Sequence, residues 1–354
     1  MQAVRYHCAG GSEVLEYCTV PDPSPGRLDV LVRVEACALN RLDIVQREGW
    51  YQMPGFRYPH IPGMDVAGTV VEIGSAVASV AVGDRVVIDP SLSGVPEGSN
   101  FAGKGDLFGE LAVIGATEDG GYAELCAAPA SHIHHVPDGM PIEHAAQFPT
   151  CWLTASHALF EVGHLQAGET VLIHAAGAGV SVAGIHLAKR AGAIVLATAG
   201  TDAKCERALG IGADHVLNNR TGDVAGWARG ITGGAGVNLV FDHVGTALFG
   251  ASLFALGVKG RLVACGNSSG DHATIPSLGY VFHSGISIIG SDPYRPDEFA
   301  PAWKAFCEGD FPTLVDSEFA LADAAAAQDK LARNDVFGKI VLRPSGGSAH
   351  AAGR

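Results

Sequence analysis

Short apolar runs alternate with helical patterns between residues 170 and 290. The run Val171–Ile173 has the length and composition of a buried parallel strand, and an amphipathic helical pattern with a basic end at Lys189-Arg190 follows it. Five more runs of strand length come after, separated by helical segments: Ala193–Thr198, His215–Leu217, Val237–Phe241, Gly260–Ala264 and Ile286–Ile289. Alternation of this kind predicts an α/β fold with a doubly wound parallel sheet.

A turn of small residues joins the first of these strands to its helix. The segment Ala176–Gly179 would let a backbone approach a pyrophosphate closely, and the helix would offer it N–H groups and a partial positive charge. Ser181 stands at the third small position of this turn, where glycine is usual. The strands around the turn favour a dinucleotide-binding unit over a plain strand–helix corner.

The first 130 residues have the patterns of strands, punctuated by glycine and proline. Val30–Ala36 alternates apolar and polar positions, and Asp65–Gly74 and Gly83–Ile88 predict two more strands joined by turns. Another strand is predicted at Gly121–Cys126. A last one, Phe337–Arg343, is expected to return to this first part of the chain.

Five motifs, in this order, resemble those of the medium-chain dehydrogenase/reductase superfamily: Asp65 with Gly68, Gly83–Val86, Gly121–Glu124, the glycine turn and Gly338–Leu342. The resemblance covers nearly the whole chain. It implies a GroES-like β-rich catalytic domain, residues 1–130 and 296–354, and a Rossmann domain with a doubly wound parallel sheet, residues 131–295. It also implies a homodimer formed by edge strands of the Rossmann sheets, at Ile286–Gly290.

Zinc-dependent members of the superfamily hold a catalytic metal with a cysteine, a histidine and a second cysteine. By the resemblance, the corresponding positions here are Asn40, Met64 and Thr150. Because an amide, a thioether and a hydroxyl are poor zinc ligands, we expect no catalytic metal. Cys37 and Cys151 lie near these positions in sequence and are interpreted as packing residues.

Two other segments have features of metal sites. Residues 89–121 have the length of the lobe that carries four structural-zinc cysteines in zinc-dependent members, but they contain no cysteine, so we expect the lobe without its metal. Four hydrophobic residues would then anchor it: Phe101, Leu107, Phe108 and Leu111. His132, His134 and His135 form a local cluster, which we interpret as a solvated turn.

Without a metal to stabilise an alkoxide, the favoured chemistry is hydride transfer to a quinone or an activated double bond, because hydrogen-bond donors can stabilise the developing oxyanion. The chain resembles the zinc-free quinone oxidoreductase and enoyl reductase branch at Asn40 with Asp43, at Tyr51, and at Gly266–Gly270. The resemblance implies that Asn40 and Tyr51 hold the substrate oxygen and that Asp43 has a structural role beside them. The alternatives are a turn residue for Asn40, a helix cap for Asp43 and a surface aromatic for Tyr51.

The residues after the second strand favour NADPH as the cofactor. Ala199 stands where NAD-dependent enzymes carry an acidic residue against the ribose 2′-hydroxyl. Thr201 and Lys204 follow, a hydroxyl and a cation suited to a 2′-phosphate, although Lys204 could equally be a solvated helix residue. The resemblance implies further cofactor contacts: Thr154, Ala176, Gly177, Ala178, Gly179, Val180, Ser181, Asn219, Val244, Gly266, Asn267, Ser268 and Lys339.

Composition narrows the partners and the compartment. There are 23 Lys and Arg residues and 37 Asp and Glu residues, and this formal net charge of −14 argues against binding to nucleic acid or acidic membranes. No apolar run has the length of a membrane span, and no signal-peptide core stands at the start. The eight cysteines include no CxxC pair, which favours reduced thiols in a cytoplasmic protein.

Together these features favour an NADPH-dependent, zinc-free reductase of small quinones or α,β-unsaturated carbonyls. An enoyl-thioester reductase would share every motif and stays open as an alternative. A non-catalytic NADPH-binding protein is a third hypothesis, because a fold does not fix an activity. A zinc alcohol dehydrogenase is the weakest rival. The segments Trp50–His60 and Leu278–His283 would shape the pocket.

Overall fold

The computed structural model describes residues 1–104, 112–291, 294–312 and 314–344, and the chain divides into two compact units. Unit 1 consists of Met1–Thr150 and Phe299–Arg354, and unit 2 is the continuous segment Cys151–Glu298. Residues 131–150, which the sequence analysis placed in the second domain, therefore belong to unit 1 in the structure.

The described elements are numbered in chain order. Unit 1 begins with the strands β1 (Gln2–Arg5), β2 (Glu16–Thr19), β3 (Asp29–Ala38), β4 (Asp65–Ile73), β5 (Arg85–Ile88), β6 (Leu125–Pro129) and β7 (Ile133–His135), and with the helices α1 (Arg41–Arg47) and α2 (Ile142–Ala146). Helix α3 (Pro149–Ser156) leads into unit 2 and continues as a π-helical turn, His157–Val162. Unit 2 contains β8 (Thr170–Ile173), α4 (Gly179–Arg190), β9 (Ile194–Ala199), α5 (Asp202–Gly210), β10 (His215–Asn218), α6 (Val224–Ile231), β11 (Val237–Asp242), α7 (Phe249–Ala255), β12 (Leu256–Ala264), α8 (Leu278–Ser284) and β13 (Ser287–Gly290). The second segment of unit 1 adds α9 (Phe299–Glu308), β14 (Val315–Ala320), α10 (Ala324–Ala332) and β15 (Lys339–Arg343). Single 3₁₀ turns lie at Ser12–Val14, Ala130–His132 and Leu321–Asp323.

Unit 2 is built on a six-stranded sheet with the order β10-β9-β8-β11-β12-β13. Every neighbouring pair in it is parallel. The strand order reverses between β8 and β11, and the loops beyond the carboxyl ends of the strands at such a point form the usual ligand crevice of a doubly wound sheet. The predicted α/β fold with a Rossmann-type parallel sheet is therefore confirmed.

All six strands of this sheet coincide with apolar runs predicted from the sequence. The largest difference is β12, which begins at Leu256, whereas the predicted run begins at Gly260. The strands form the core of unit 2 because their side chains are buried on the sheet faces. Leu172, Leu196, Val240 and Leu262 have no solvent exposure within one cluster.

Unit 1 is built on a seven-stranded sheet with the order β14-β15-β3-β4-β5-β7, and β6 pairs with β3. The last strand does return to the first part of the chain, because β15 pairs with β3 on one side and with β14 on the other. Strand β7 pairs with β5, which ties residues 133–135 to this unit. The predicted strand Gly121–Cys126 begins later in the structure, at Leu125.

The histidine cluster is only in part the solvated turn predicted from the sequence, since His135 alone of the three is exposed. His132 is buried, and its ring nitrogens contact Ser131 Oγ at 2.9 Å and the Ser93 carbonyl at 3.2 Å. His134 lies on β7 with its ring stacked on Phe299, the centroids 4.3 Å apart. The prediction was wrong for His132 and His134 because these two rings have polar and aromatic partners that permit full or partial burial.

Of the four hydrophobic residues expected to anchor the lobe at residues 89–121, the structure describes one. Phe101 is buried in the core cluster of unit 1. Leu107, Phe108 and Leu111 lie outside the described residues. Among the helices that the structure describes, none combines the length and the apolar character required to cross a bilayer.

Candidate active site

Helix α1 places Asn40 and Asp43 next to each other. Strand β3 ends at Ala38, and Asn40 is the N-cap of α1 in an extended conformation. The Asp43 carboxylate accepts a hydrogen bond from the Asn40 backbone N–H at 2.8 Å. A side chain at the third helical position that bonds back to the N-cap satisfies a donor that the helix itself leaves open. Asp43 is thus a helix cap, the alternative raised from its sequence, and it also fixes Asn40.

The Asn40 side chain is held by a buried cation. Its Oδ1 accepts a hydrogen bond from the Lys339 ammonium at 2.7 Å, and the same ammonium pairs with Asp65 Oδ2 at 2.9 Å. Asn40 is 7% exposed and Lys339 is 4% exposed. A buried charge is tolerated where it is paired and hydrogen-bonded, and Asp65 and Asn40 provide both conditions.

Two of the three positions that the resemblance assigns to zinc ligands are occupied by residues that hydrogen-bond within the protein, Asn40 and Thr150. Asn40 Nδ2 lies 3.4 Å from Thr150 Oγ1, and Thr150 donates from Oγ1 and from its backbone N–H to Asp65 Oδ1, at 2.5 Å and 2.9 Å. Met64 is buried. An amide, a thioether and a hydroxyl beside an ammonium group do not fit a zinc ion. Within residues 1–104, 112–291, 294–312 and 314–344, no three His, Cys, Asp or Glu side chains are grouped as metal ligands.

Cys37 and Cys151, the cysteines nearest to these positions in sequence, are both buried. A β-carbon added at Gly63 would lie 2.7 Å from Cys37 Sγ, so the thiol fills the space above this glycine. Burial raises the pKa of the Cys37 thiol well above its usual range, which keeps it protonated. Both observations agree with a packing role.

The pKa of the Asp43 carboxyl group is strongly raised. Burial raises its pKa to about 7, although the hydrogen bond from Asn40 and the charge of Lys339 act in the opposite direction. Its Oδ2 also accepts from the Tyr122 hydroxyl at 3.2 Å, and its Oδ1 is buried without a hydrogen-bond partner among the described residues. The carboxyl group therefore changes its protonation near neutral pH.

Tyr51 does not join this cluster through any described hydrogen bond of its side chain. It follows α1 on a segment where Trp50 and Tyr51 are 76% and 54% exposed. Farther along the segment, Phe56 and Tyr58 pack against the buried Tyr6, with ring centroids 6.2 Å and 5.8 Å from it. Trp50 and Tyr51 are thus the most exposed aromatics of this segment, whereas Phe56 and Tyr58 contact Tyr6, with Tyr58 still 38% exposed.

In unit 2 the glycine turn follows the carboxyl end of β8. Ala175 takes a positive φ of 52°, and the segment Ala176–Ala178 leads into α4. Ser181 is fully buried, and its hydroxyl donates to the His174 carbonyl at 2.7 Å and contacts His243 Nε2 at 2.6 Å. Serine is accommodated at this third small position because its hydroxyl has polar partners on the adjacent strand ends. The turn and the N-terminus of α4 form a cradle suited to a pyrophosphate.

The residues expected to contact the adenosine ribose follow the carboxyl end of β9. Thr201 is the N-cap of α5 and accepts from the Lys204 backbone N–H at 3.3 Å. The sequence analysis did not identify Arg220 as a site residue, yet its guanidinium packs on Gly200, since an added β-carbon there would lie 3.2 Å from Arg220 Nε. Asn219 is tied to the same place by a backbone bond to Ala199 at 3.0 Å. The available signal was a cation two residues after the end of β10.

The loops after β11 and β12 are joined to each other. Asp242 Oδ1 accepts from the Val244 backbone N–H at 2.7 Å, and the Val244 carbonyl accepts from the Ser269 backbone N–H at 2.8 Å. Ser268 donates its backbone N–H to the His243 carbonyl at 3.1 Å. Gly266, Asn267 and Ser268 are exposed, and the partly buried Thr154 lies on α3. The loop at Val244 and the loop at residues 266–268 therefore lie next to each other, and their contact with a cofactor stays a prediction.

Comparison with known proteins gives matches over most of the chain. Residues 26–138 match the family described as alcohol dehydrogenase GroES-like domain, and residues 179–308 match the family described as zinc-binding dehydrogenase. A quinone oxidoreductase of Pseudomonas aeruginosa is 31% identical over 350 residues, which cover 96% of this chain and 99% of that protein. An acryloyl-coenzyme A reductase of Sulfurisphaera tokodaii is 29% identical, covering 92% and 95% of the two chains. A crystal structure of an NAD-dependent alcohol dehydrogenase matches with a TM-score of 0.90 at 37% identity, covering 98% of this chain and 100% of that one.

Proposed function

The chain belongs to the medium-chain dehydrogenase/reductase superfamily, in its quinone oxidoreductase-like branch, and on that premise we propose that it reduces quinones or α,β-unsaturated carbonyls with NADPH and without a catalytic zinc. The observation that carries the proposal is the Asn40 amide bound to the Lys339 ammonium, at a position where zinc-dependent relatives have a metal ligand. This pair supplies a neutral donor and a positive charge, which suit an oxyanion better than a metal ion.

NADPH, when bound, supplies the hydride that the acceptor takes up. For an enone, the hydride would add to the β-carbon, negative charge would develop on the carbonyl oxygen, and a solvent proton would then bond to the α-carbon and restore the carbonyl. For a quinone, the hydride and a solvent proton would together give the hydroquinone. In both cases the Asn40 side-chain NH₂ would donate to the oxygen on which negative charge develops. Tyr51, on its exposed segment, would donate a second hydrogen bond.

The preference for NADPH rests on the charge around Gly200. Thr201 caps α5 just after β9, Lys204 lies in the first turn of that helix, and the Arg220 guanidinium packs on Gly200. Arginine suits a phosphate because its planar group can donate two parallel hydrogen bonds. Asp202, the nearest acid, accepts from Asn218 Nδ2 at 2.7 Å, which engages its carboxylate away from a ribose hydroxyl. The similar NAD-dependent alcohol dehydrogenase makes NADH the necessary comparison.

An enoyl thioester is the second candidate substrate. The similar acryloyl-coenzyme A reductase favours it, because the substrate in that protein's name, acryloyl-coenzyme A, has a double bond conjugated to a thioester carbonyl. The chemistry at Asn40 would be unchanged, since an enolate oxygen develops in the same way.

We also propose a homodimer formed through β13, the last strand of the unit 2 sheet. Ile288 on β13 is 41% exposed, and Leu278 and Phe282 on α8 are 69% and 68% exposed. An open strand edge beside exposed apolar side chains is suited to pairing with a second copy. All eight cysteines are free thiols, which supports residence in a reducing compartment such as the cytoplasm.

The test is consumption of NADPH, with NADH in parallel, by protein treated with a chelator. The acceptors would be a 1,4-quinone, an enone, an enoyl thioester and a simple aldehyde, and the metal content of the purified protein would be measured alongside. We expect turnover of the quinone, enone or thioester that the chelator does not change. Turnover of the aldehyde alone, lost on chelation, would refute the proposal. Tight NADPH binding without turnover of any acceptor would favour the non-catalytic alternative.

A further inference from the structure

Four separated elements of unit 1 converge on one ammonium group. Asn40 caps α1, Asp65 begins β4, Thr150 lies in α3 and Lys339 begins β15. The Lys339 ammonium bonds to Asn40 Oδ1 at 2.7 Å and to Asp65 Oδ2 at 2.9 Å, and Thr150 bonds to both of these partners. The cation is therefore bonded by residues at or next to two of the positions that correspond to zinc ligands, and Thr150, at the third position, bonds to both of these residues.

We propose that Lys339 is a positioning residue that replaces the metal ion electrostatically: it fixes the Asn40 amide as a donor and adds a positive charge behind it. The inference rests on the proposed function, in which Asn40 donates to the substrate oxygen. It extends that function by naming the group that sets the direction and the strength of this donor.

The direction of the Asn40 amide follows from hydrogen-bond chemistry. An ammonium group can only donate, so the amide oxygen must face Lys339 and the NH₂ group must face the other way. The backbone N–H of Asn40 is held separately by the Asp43 carboxylate at 2.8 Å. Asn40 is thus fixed at its backbone and at its side chain, and its NH₂ cannot exchange places with its oxygen without breaking the bond to Lys339.

The strength of the donor follows from charge. A hydrogen bond from a cation to the amide oxygen draws electron density from the amide, and this makes its N–H groups better donors. Burial strengthens the effect, because few water molecules screen the ammonium. Asp65 Oδ2 pairs with the ammonium and keeps it in place. Thr150 donates to the other carboxylate oxygen, so both oxygens of Asp65 have hydrogen-bond donors.

This role differs from the cofactor contact that the resemblance implied for Lys339. The ammonium bonds to Asn40 and Asp65, which both belong to unit 1, and the side chain is buried. The two roles predict different kinetics. A cofactor contact affects the affinity for NADPH, whereas a positioning residue affects turnover at saturating NADPH.

The experiment compares Lys339→Met with the double variant Lys339→Met/Asp65→Asn. The single variant removes the cation and leaves the buried Asp65 unpaired, while the double variant removes both charges. Lys330→Met is the matched control, because Lys330 forms another ion pair in unit 1, with Asp316 at 2.6 Å. Lys339→Arg keeps the positive charge. The readouts are kcat and KM for a quinone, an enone and an enoyl thioester, and the Kd for NADPH.

We expect both variants that lack the Lys339 charge to lose kcat by about 10- to 100-fold, which is less than the loss of about 100-fold or more on removing an oxyanion donor, because Asn40 itself remains. The Kd for NADPH should be unchanged, Lys339→Arg should keep more activity than Lys339→Met, and Lys330→Met should behave as the wild type. Recovery of kcat in the double variant would overturn the inference, because Lys339 would then serve only to neutralise Asp65. A weaker NADPH affinity with unchanged kcat would overturn it as well. If Lys339→Met does not fold, the double variant is compared directly with the wild type.

A second readout needs no turnover and so separates this inference from the proposed function. With NADP⁺ present, 4-nitrophenol is titrated against the wild type and the variants, and the absorbance of bound phenolate is followed over pH. The wild type should favour bound phenolate, and both variants without the Lys339 charge should favour it less. If the protein gives this result but reduces none of the acceptors, the inference about the oxyanion site stands and the proposed reductase activity is rejected. Equal ionisation in all proteins, or no binding to the wild type, would overturn the inference.

Discussion

At the residue scale, the protonation of Asp43 links the site to the stability of unit 1. Because burial raises its pKa from 3.8 to about 7, the folded protein keeps a proton that the unfolded chain releases in this interval. Asp43 therefore makes the free energy of unfolding fall as the pH rises from 3.8 to about 7. The variant Asp43→Asn removes this contribution, which is at most about 4 kcal/mol, since one pKa unit corresponds to about 1.4 kcal/mol.

Urea unfolding of the wild type and Asp43→Asn across this pH interval checks the sign. The free energy of unfolding of the variant, relative to the wild type, should rise with pH. Asp316 is a useful control because burial acts to raise its pKa but the hydrogen bond from Lys330 overcomes this and lowers it. The contribution of Asp316 to the free energy of unfolding is therefore gained below about pH 3.8, so the stability of Asp316→Asn relative to the wild type should stay nearly constant across this interval. A difference for Asp43→Asn that does not change with pH would contradict the role of burial.

Arg220 is the residue whose change should alter cofactor selection. Replacing it by glutamine removes the guanidinium that packs on Gly200, so the affinity for NADPH should fall about 10-fold or more while the affinity for NADH stays constant, since a hydrogen bond to a charged group contributes about 1.5 kcal/mol or more. Kd values for both nucleotides, measured by fluorescence, report this ratio. Arg190→Gln, at the exposed end of α4, is the control. An unchanged ratio in Arg220→Gln would mean that other residues recognise the 2′-phosphate.

At the scale of elements, the start of β15 depends on a glycine. Gly338 has a φ of +100°, and a β-carbon there would lie 2.3 Å from the Leu314 carbonyl oxygen, to which Lys339 also donates its backbone N–H at 2.9 Å. Gly338→Ala should therefore lower the free energy of unfolding by about 1–3 kcal/mol and reduce activity by displacing Lys339. Gly210→Ala, where nothing lies within 4 Å, should change neither. Chemical denaturation of both variants makes the comparison, and equal stability would show that β15 can shift without strain.

The strands of unit 2 could be predicted from the sequence because each is an apolar run bounded by turns. β8 is buried at every position and β11 at all positions but one, so their patterns are continuous and not alternating. The strand Gly121–Cys126 was placed too early because glycine and tyrosine at its start form backbone bonds to residues 62 and 63 outside a regular ladder.

The bond between Asn40 and Lys339 could not be predicted in the same way. The two residues are 299 positions apart, and local periodicity contains no information on which loops of a sheet meet. The resemblance to a family placed Asn40 at the substrate and Lys339 at the cofactor, because motifs assign residues singly and not in pairs. Arg220 was missed for a related reason, since its relation to Gly200 depends on the parallel pairing of β9 with β10.

At the scale of the whole molecule, the open edge of β13 predicts the oligomeric state. Pairing of β13 with its copy would join two six-stranded sheets and cover Ile288, so the wild type should be a dimer by light scattering after size exclusion. Ile288→Lys should be monomeric, because a lysine on the pairing edge would have to lose its hydration next to its own copy across the two-fold axis. Val82→Lys, at a position 60% exposed in unit 1, should remain dimeric. A monomeric wild type would reject the proposed dimer. A dimeric Ile288→Lys would show that the interface does not lie at this strand.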